Sequence, residues 1–166
     1  ESYYSVIWAG EDGRSVEKDF FGMQGNHVIL NIPNKGKDIW LECTSQTNPF
    51  GYIANWTDDR DALVITPEGG KIVHTTSYSA EESLQHTTAN IHFSKEGSIN
   101  ADVMIKTSGY QYALHEWIQT QTANDQEISL KEYWDYINDL NIASMAFEND
   151  KGLSSEPAIC CAIVTH

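Results

Sequence analysis

A mixed α+β chain dominated by antiparallel strands is predicted by three features of the sequence. Short runs rich in β-branched and aromatic residues recur between turn residues, as strands require. Two pairs of such runs are joined by tight turn chemistry, "NKG" at 34–36 and "PEGG" at 67–70. Helical spacing of apolar residues is confined to the stretch from about 108 to 139.

In order, "SYYSVIW" (2–8) reads as a strand and "AGEDGRS" as an exposed turn. "HVILNI" (27–32) is a strand stopped by Pro33, and "DIWLEC" (38–43) is its return strand, so 27–43 is an antiparallel hairpin. "TSQTNPFGY" is a polar loop, and "DALVIT" (61–66) with "KIVHTT" (71–76) makes a second hairpin. "SYSAEES" (77–83) is small and polar, which sets an expected boundary between domains at 1–76 and 77–166. "HTTANIHF" (86–93) and "SINADVMIK" (98–106) are strands around "SKEG". In the second, Ile99, Ala101, Val103 and Ile105 alternate with Ser98, Asn100, Asp102 and Met104, the mark of a sheet with one buried face. A helix is expected after Ser108, with Tyr110, Ala113, Leu114, Trp117 and Ile118 as its stripe. A second is expected from Ser129, which has capping-box spacing to Glu132, with Leu130, Tyr133, Trp134 and Ile137 as its apolar face. "ASMAFEN" (143–149) and "AICCAIV" (158–164) are further strands, the last expected to be buried on both faces.

Composition narrows the function. Of 166 residues 40% are hydrophobic, enough for a packed core, and 24 acidic against 10 basic residues give a formal net charge of −14. A field of that sign repels phosphate backbones and anionic membrane surfaces, so nucleic acid is not an expected partner. No apolar run is long enough to span a bilayer. The first residues lack the basic start and cleavage site of a signal peptide and already read as a strand, so the sequence is taken as a mature product or a fragment. Three cysteines, at 43, 160 and 161, form neither a disulfide framework nor a zinc pattern.

The chemistry concentrates in "GNHVILNIPNKGKDIWLECTSQTNPFGY" (25–52). His27 and Glu42 fall near the open end of the predicted hairpin, where residues of the two strands are cross-strand neighbours. A carboxylate there can accept the Nδ1–H bond, fix the tautomer and stabilise an imidazolium, the orienting task in Ser/His/Asp and Cys/His/Asp sites. Spacing alone is weak evidence, since a His–Glu pair across a hairpin is more often an ordinary surface pair. Trp40, two residues before Glu42, is either a wall of such a site or a core aromatic. Asn26 either positions His27 or ends the preceding loop. Cys43, next to Glu42 on a strand, points to the opposite face and is expected to be a small buried packing residue rather than a nucleophile. His27, Glu42 and His74 match no standard zinc spacing, and "TDDRD" (57–61) lacks the order of a calcium loop and reads as an acidic surface loop. No metal or cofactor is expected. His86 and His92 read as exposed side chains on polar strand faces, and "NWT" (55–57) matches the short glycosylation sequon.

The stretch "GNHVILNIP…DIWLECTSQTNPFGY", continued by "DRDALVI" (59–65), resembles bacterial transglutaminase-like proteins of the papain-related superfamily. In that family a motif like N-H-V-I carries the catalytic His and W-L-D-x-T-S carries its Asp. His27 stands at the first position and Glu42 at the second. Residues 77–166 resemble the β-rich accessory domain of unknown function that follows the core in larger members. The resemblance implies Cys-dependent acyl transfer or amide hydrolysis on a protein or peptide substrate, and a periplasmic or cell-envelope location. The family's Cys lies upstream of the His, yet none of the 26 residues before His27 is Cys. The resemblance therefore implies the C-terminal half of a core, inactive alone, completed by an upstream segment of the same protein. A half-core leaves apolar sheet surface, so a partner segment is expected over the 27–43 hairpin. The alternative is a binding or scaffolding module without catalysis.

Overall fold

The computed structural model describes residues 1–46, 48–53, 55–148 and 158–165, with Leu114 and 158–165 as backbone alone. Its strands form two antiparallel sheets, accompanied by two short helices, an α+β and β-rich architecture. One sheet lies in a compact unit spanning Glu1–Ser79, the other in a unit that begins at Ala80. The division falls just beyond the expected 76/77 boundary because the intervening chain is bonded into the first unit. Thr75 N–H donates to the Arg60 carbonyl (2.9 Å), the Asp59 amide donates to Thr76 (2.9 Å), and the Ile53 amide donates to the Tyr78 hydroxyl (3.3 Å).

The first sheet contains β1 (Tyr3–Ile7), β2 (His27–Ile32), β3 (Ile39–Leu41), β4 (Asp61–Thr66) and β5 (Gly69–His74), in the order β3-β2-β1-β4-β5. Period two sends Ile7, Ile29, Trp40, Ala62 and Val64 to one face, where Ile53 joins them in the core. The other face is also apolar. Val28, Val6, Leu63 and Ile72 are successive cross-strand partners, as are Leu41, Leu30 and Tyr4. Tyr4, Val28 and Ile65 are exposed there.

Strand β3 is shorter than the predicted 38–43. Asp38 is turned back to accept from Asn31 Nδ2 (3.0 Å) and the Asn34 amide (3.2 Å), closing the "NKG" turn. At the other end Glu42 accepts from the amide of Thr44 (3.0 Å), which takes the chain off the ladder. Strand β5 begins at Gly69 instead of Lys71, since Pro67 and Glu68 alone make the turn and Thr66 pairs with Gly69.

The second sheet contains β6 (Gln85–Phe93), β7 (Ile99–Thr107), β8 (Asn141–Glu148) and β9 (Ala158–Thr165), in the order β6-β7-β9-β8. Along β7 the predicted alternation is present, with Asn100, Asp102, Met104 and Lys106 exposed between less exposed neighbours. Ile105 packs with Ile118 of α1 (Gln111–Gln119) and with Leu130 of α2 (Ala123–Tyr133), and Trp134 completes that core.

Both helices depart from expectation. Ser108 does not cap α1; its hydroxyl donates to the Glu82 carbonyl (2.7 Å) and accepts from the Leu84 amide (3.3 Å). Among the described side chains of α1, Tyr112, His115 and Ile118 are buried, whereas Trp117, and Tyr110 just before the helix, are exposed. The apolar residues fit two overlapping stripes, and the bond from Thr107 to His115 (2.8 Å) belongs to the stripe that is buried. Helix α2 starts six residues before Ser129, capped by Thr122, whose hydroxyl accepts from the Asp125 amide (3.3 Å). Ser129 is therefore inside the helix, and Trp134 and Ile137 lie past its end. The expected two-sided burial of 158–164, with Cys160 and Cys161, concerns side chains outside the described residues.

Candidate active site

His27 opens β2 opposite Ile7 of β1, on the same face as Ile29 and Asn31. Strand β3 pairs Trp40 with Asn31 and Leu41 with Leu30. Continued one residue, that register sets Glu42 across from Ile29, diagonal to His27 on one face, within reach of long side chains. His27 Nε2 lies 2.9 Å from Glu42 Oε2 and 3.1 Å from Oε1. The imidazole is 22% exposed and the carboxylate 11%, so the pair sits at the edge of the core rather than in it.

An ionised carboxylate only accepts hydrogen bonds, so the proton in this contact belongs to Nε2. The ring uses Nε2 here rather than the expected Nδ1. In the neutral ring this bond puts the lone pair on Nδ1, which makes no hydrogen bond among the described residues. Glu42 is itself anchored. Burial pushes its carboxyl upward, but the Thr44 hydroxyl (2.7 Å), the Thr44 amide (3.0 Å) and His27 together outweigh burial and hold it below the ordinary carboxylate range.

The pair lines a surface cavity of about 360 Å³ whose remaining wall is Ala9, Thr44, Trp56 and Thr57. Asn26 shapes this wall. Its Oδ1 accepts from the Ala9 amide (2.6 Å), its Nδ2 donates to the Ala9 carbonyl (3.0 Å), and its own amide donates to Ile7 (3.1 Å). The side chain thus prolongs the β1–β2 ladder by one rung and sets Ala9 beside His27.

Trp40 is 1% exposed in the core of the sheet and does not line the cavity; the aromatic there is Trp56, 56% exposed. Trp40 faces Asn31 far enough down β3 that the core closes over it. Cys43 is exposed, against the expectation of a buried packing residue, because β3 ends before it and no layer covers it. It is not a cavity residue.

The "TDDRD" segment is not a simple surface loop. Asp58 and Arg60 are 3% exposed. Asp59 and Asp61 flank His74, at 3.1 Å from Nε2 and 2.8 Å from Nδ1, and they hold its imidazole above its ordinary range. Among the described residues no group of His, Cys, Asp or Glu is placed to bind a metal ion. His86 and His92 are exposed on β6.

Thr44, Trp56, Thr57 and Ala9 were not read as site residues in the sequence, although Thr44 stands in the W-L-D-x-T-S motif and Trp56 and Thr57 in the "NWT" sequon. Thr44 had a signal, since a hydroxyl two residues after a strand carboxylate shares its face. Nothing in the sequence tied Ala9, Trp56 or Thr57 to His27, because they meet it only through loop packing. No family model, curated protein or solved structure matches the chain.

Proposed function

We propose that this cavity is the histidine–carboxylate half of a papain-related, transglutaminase-like acyl-transfer or amide-hydrolysis centre. The observation that supports it most is the bond of His27 Nε2 to an anchored, ionised Glu42, with Nδ1 left open at a surface cavity. In this reading a thiol from an upstream segment of the same protein gives its proton to His27 Nδ1 as its sulfur attacks an amide carbon. The same proton then leaves with the amine as the C–N bond breaks. Water or a second amine resolves the thioester, with His27 again moving the proton. Glu42 holds the ring in the tautomer that keeps Nδ1 basic and stabilises it once charged.

The apolar outer face of the 27–43 hairpin, with Val28 exposed and Leu30 paired to Leu41, gives the upstream segment a surface on which to pack. The substrate is a protein or peptide amide, and the resemblance puts the protein in the periplasm or cell envelope. No described helix is long and apolar enough to cross a membrane. Expression of the parent chain with His27→Ala is the test. Loss of turnover on amide substrates by at least about 10²-fold is expected; native turnover overturns the reading.

A further inference from the structure

Arg60 is buried, and its guanidinium reaches four backbone carbonyls. Nε donates to Asp58 (2.8 Å), Nη1 to Trp8 and Gly10 (both 2.9 Å), and Nη2 to Asn55 (3.3 Å). The Asp58 carboxylate is a distant partner at 4.0 Å, so the carbonyls dominate its environment. Its own backbone is fixed to Thr75, which donates its amide to the Arg60 carbonyl (2.9 Å) and accepts from the Arg60 amide through its hydroxyl (3.1 Å). Arg60 thus joins two segments that are distant in sequence, 8–10 and 55–58. Those segments carry Ala9, Trp56 and Thr57, half the lining of the cavity at His27. They are also zipped to each other by the Gly10 amide, which donates to the Trp56 carbonyl (3.0 Å).

We propose that Arg60 is a positioning residue for substrate: its fork of donors sets the Ala9–Trp56–Thr57 wall, and that wall binds the substrate beside the scissile amide. The inference rests on the acyl-transfer reading of the cavity. The wall acts through shape. The Ala9 and Gly10 amides are already committed, to Asn26 and Trp56, so neither is available to an oxyanion. A wall of that kind contributes binding that is equal in the ground and transition states, which is read in KM and not in kcat. Lysine carries the charge but presents no planar fork, so it cannot span the same carbonyls.

In the full parent chain, Arg60→Lys is expected to raise KM about tenfold with kcat within about twofold. It is also expected to shift the indole N–H resonance of Trp56, identified by its loss in Trp56→Phe. Arg60→Ala with added methylguanidine, which restores the planar donors, is expected to recover both readouts and serves if the lysine variant does not fold. A native KM together with an unmoved Trp56 resonance overturns the proposal, even if thermal stability falls. His27→Ala separates the two claims: if it keeps native turnover the acyl-transfer reading fails, while the Trp56 resonance still reports whether Arg60 builds the wall.

Discussion

Glu42 carries a charge at the edge of a hydrophobic core because Thr44 supplies two donors and His27 a third. Removing that charge while keeping the shape leaves His27 Nε2–H facing an amide that presents either its oxygen or its NH₂, so the tautomer is no longer imposed. On the proposed acyl-transfer reading, Glu42→Gln is therefore expected to lower kcat of the parent chain by about 10²- to 10⁴-fold. Glu42→Asp, which keeps the charge on a shorter arm, is expected to retain more activity than Glu42→Gln; steady-state kinetics on one amide substrate decides both. The pairing of positions 27 and 42 was visible in the sequence, because an antiparallel hairpin makes neighbours of residues near its open end. The choice of Nε2 was not, because it depends on ring orientation within the packed cavity.

At the scale of elements, the start of α2 shows how a local signal is overridden. Around α2 two Ser/Thr hydroxyls are followed three residues later by an acid, Thr122–Asp125 and Ser129–Glu132. The first is the cap that forms: the Thr122 hydroxyl accepts from the Asp125 amide and also donates to its carboxylate (2.7 Å). Beginning the helix there puts Leu130 one turn from its end and against Ile105 and Ile118, burying it to 1% exposure. Thr122→Ala is expected to cost about 1 kcal/mol of unfolding free energy, while Ser129→Ala is neutral or stabilising within about 0.5 kcal/mol. Urea unfolding followed by far-UV circular dichroism distinguishes the two. The strands were more legible than the helices. β2 and β4 carry period-two patterns bounded by turn residues, and their ends coincide with those signals.

Across the whole molecule, two histidines in different units respond to acid with opposite sign. His115 in the second unit is 4% exposed, and burial pushes its pKa down to about 4. A base whose folded pKa is depressed gives stability that is complete above the unfolded value of 6.5 and is lost as pH falls from there toward 4. His74 in the first unit is raised, by its bond to Asp61 and then by that to Asp59. Its contribution is complete below 6.5 and is lost as pH rises through the raised folded value; at 54% side-chain exposure solvent keeps it small. Glu42 enters only at lower pH, since a depressed carboxyl keeps its contribution above 4.5 and loses it as pH falls below that. Moving from pH 7.5 to about 5.5 is thus expected to speed amide exchange around α1 and β7, with exchange in the His74 hairpin unchanged or slowed, relative to the intrinsic rates. Hydrogen exchange read by mass spectrometry checks this, and His115→Gln is expected to abolish the acid sensitivity of the second unit.

By itself the sequence determined the strand content, the two hairpins of the first unit and the nearness of His27 to Glu42. These follow from side-chain alternation and turn chemistry, which act over a few residues. Only the tertiary structure decided that Trp40 belongs to the core and Trp56 to the cavity, that Arg60 is an internal staple, and which face of α1 is buried. Each of those depends on which loop folds over which sheet face. Such contacts join residues some fifty positions apart, as Arg60 joins Trp8 and Gly10, and a pattern confined to a short window carries no record of them.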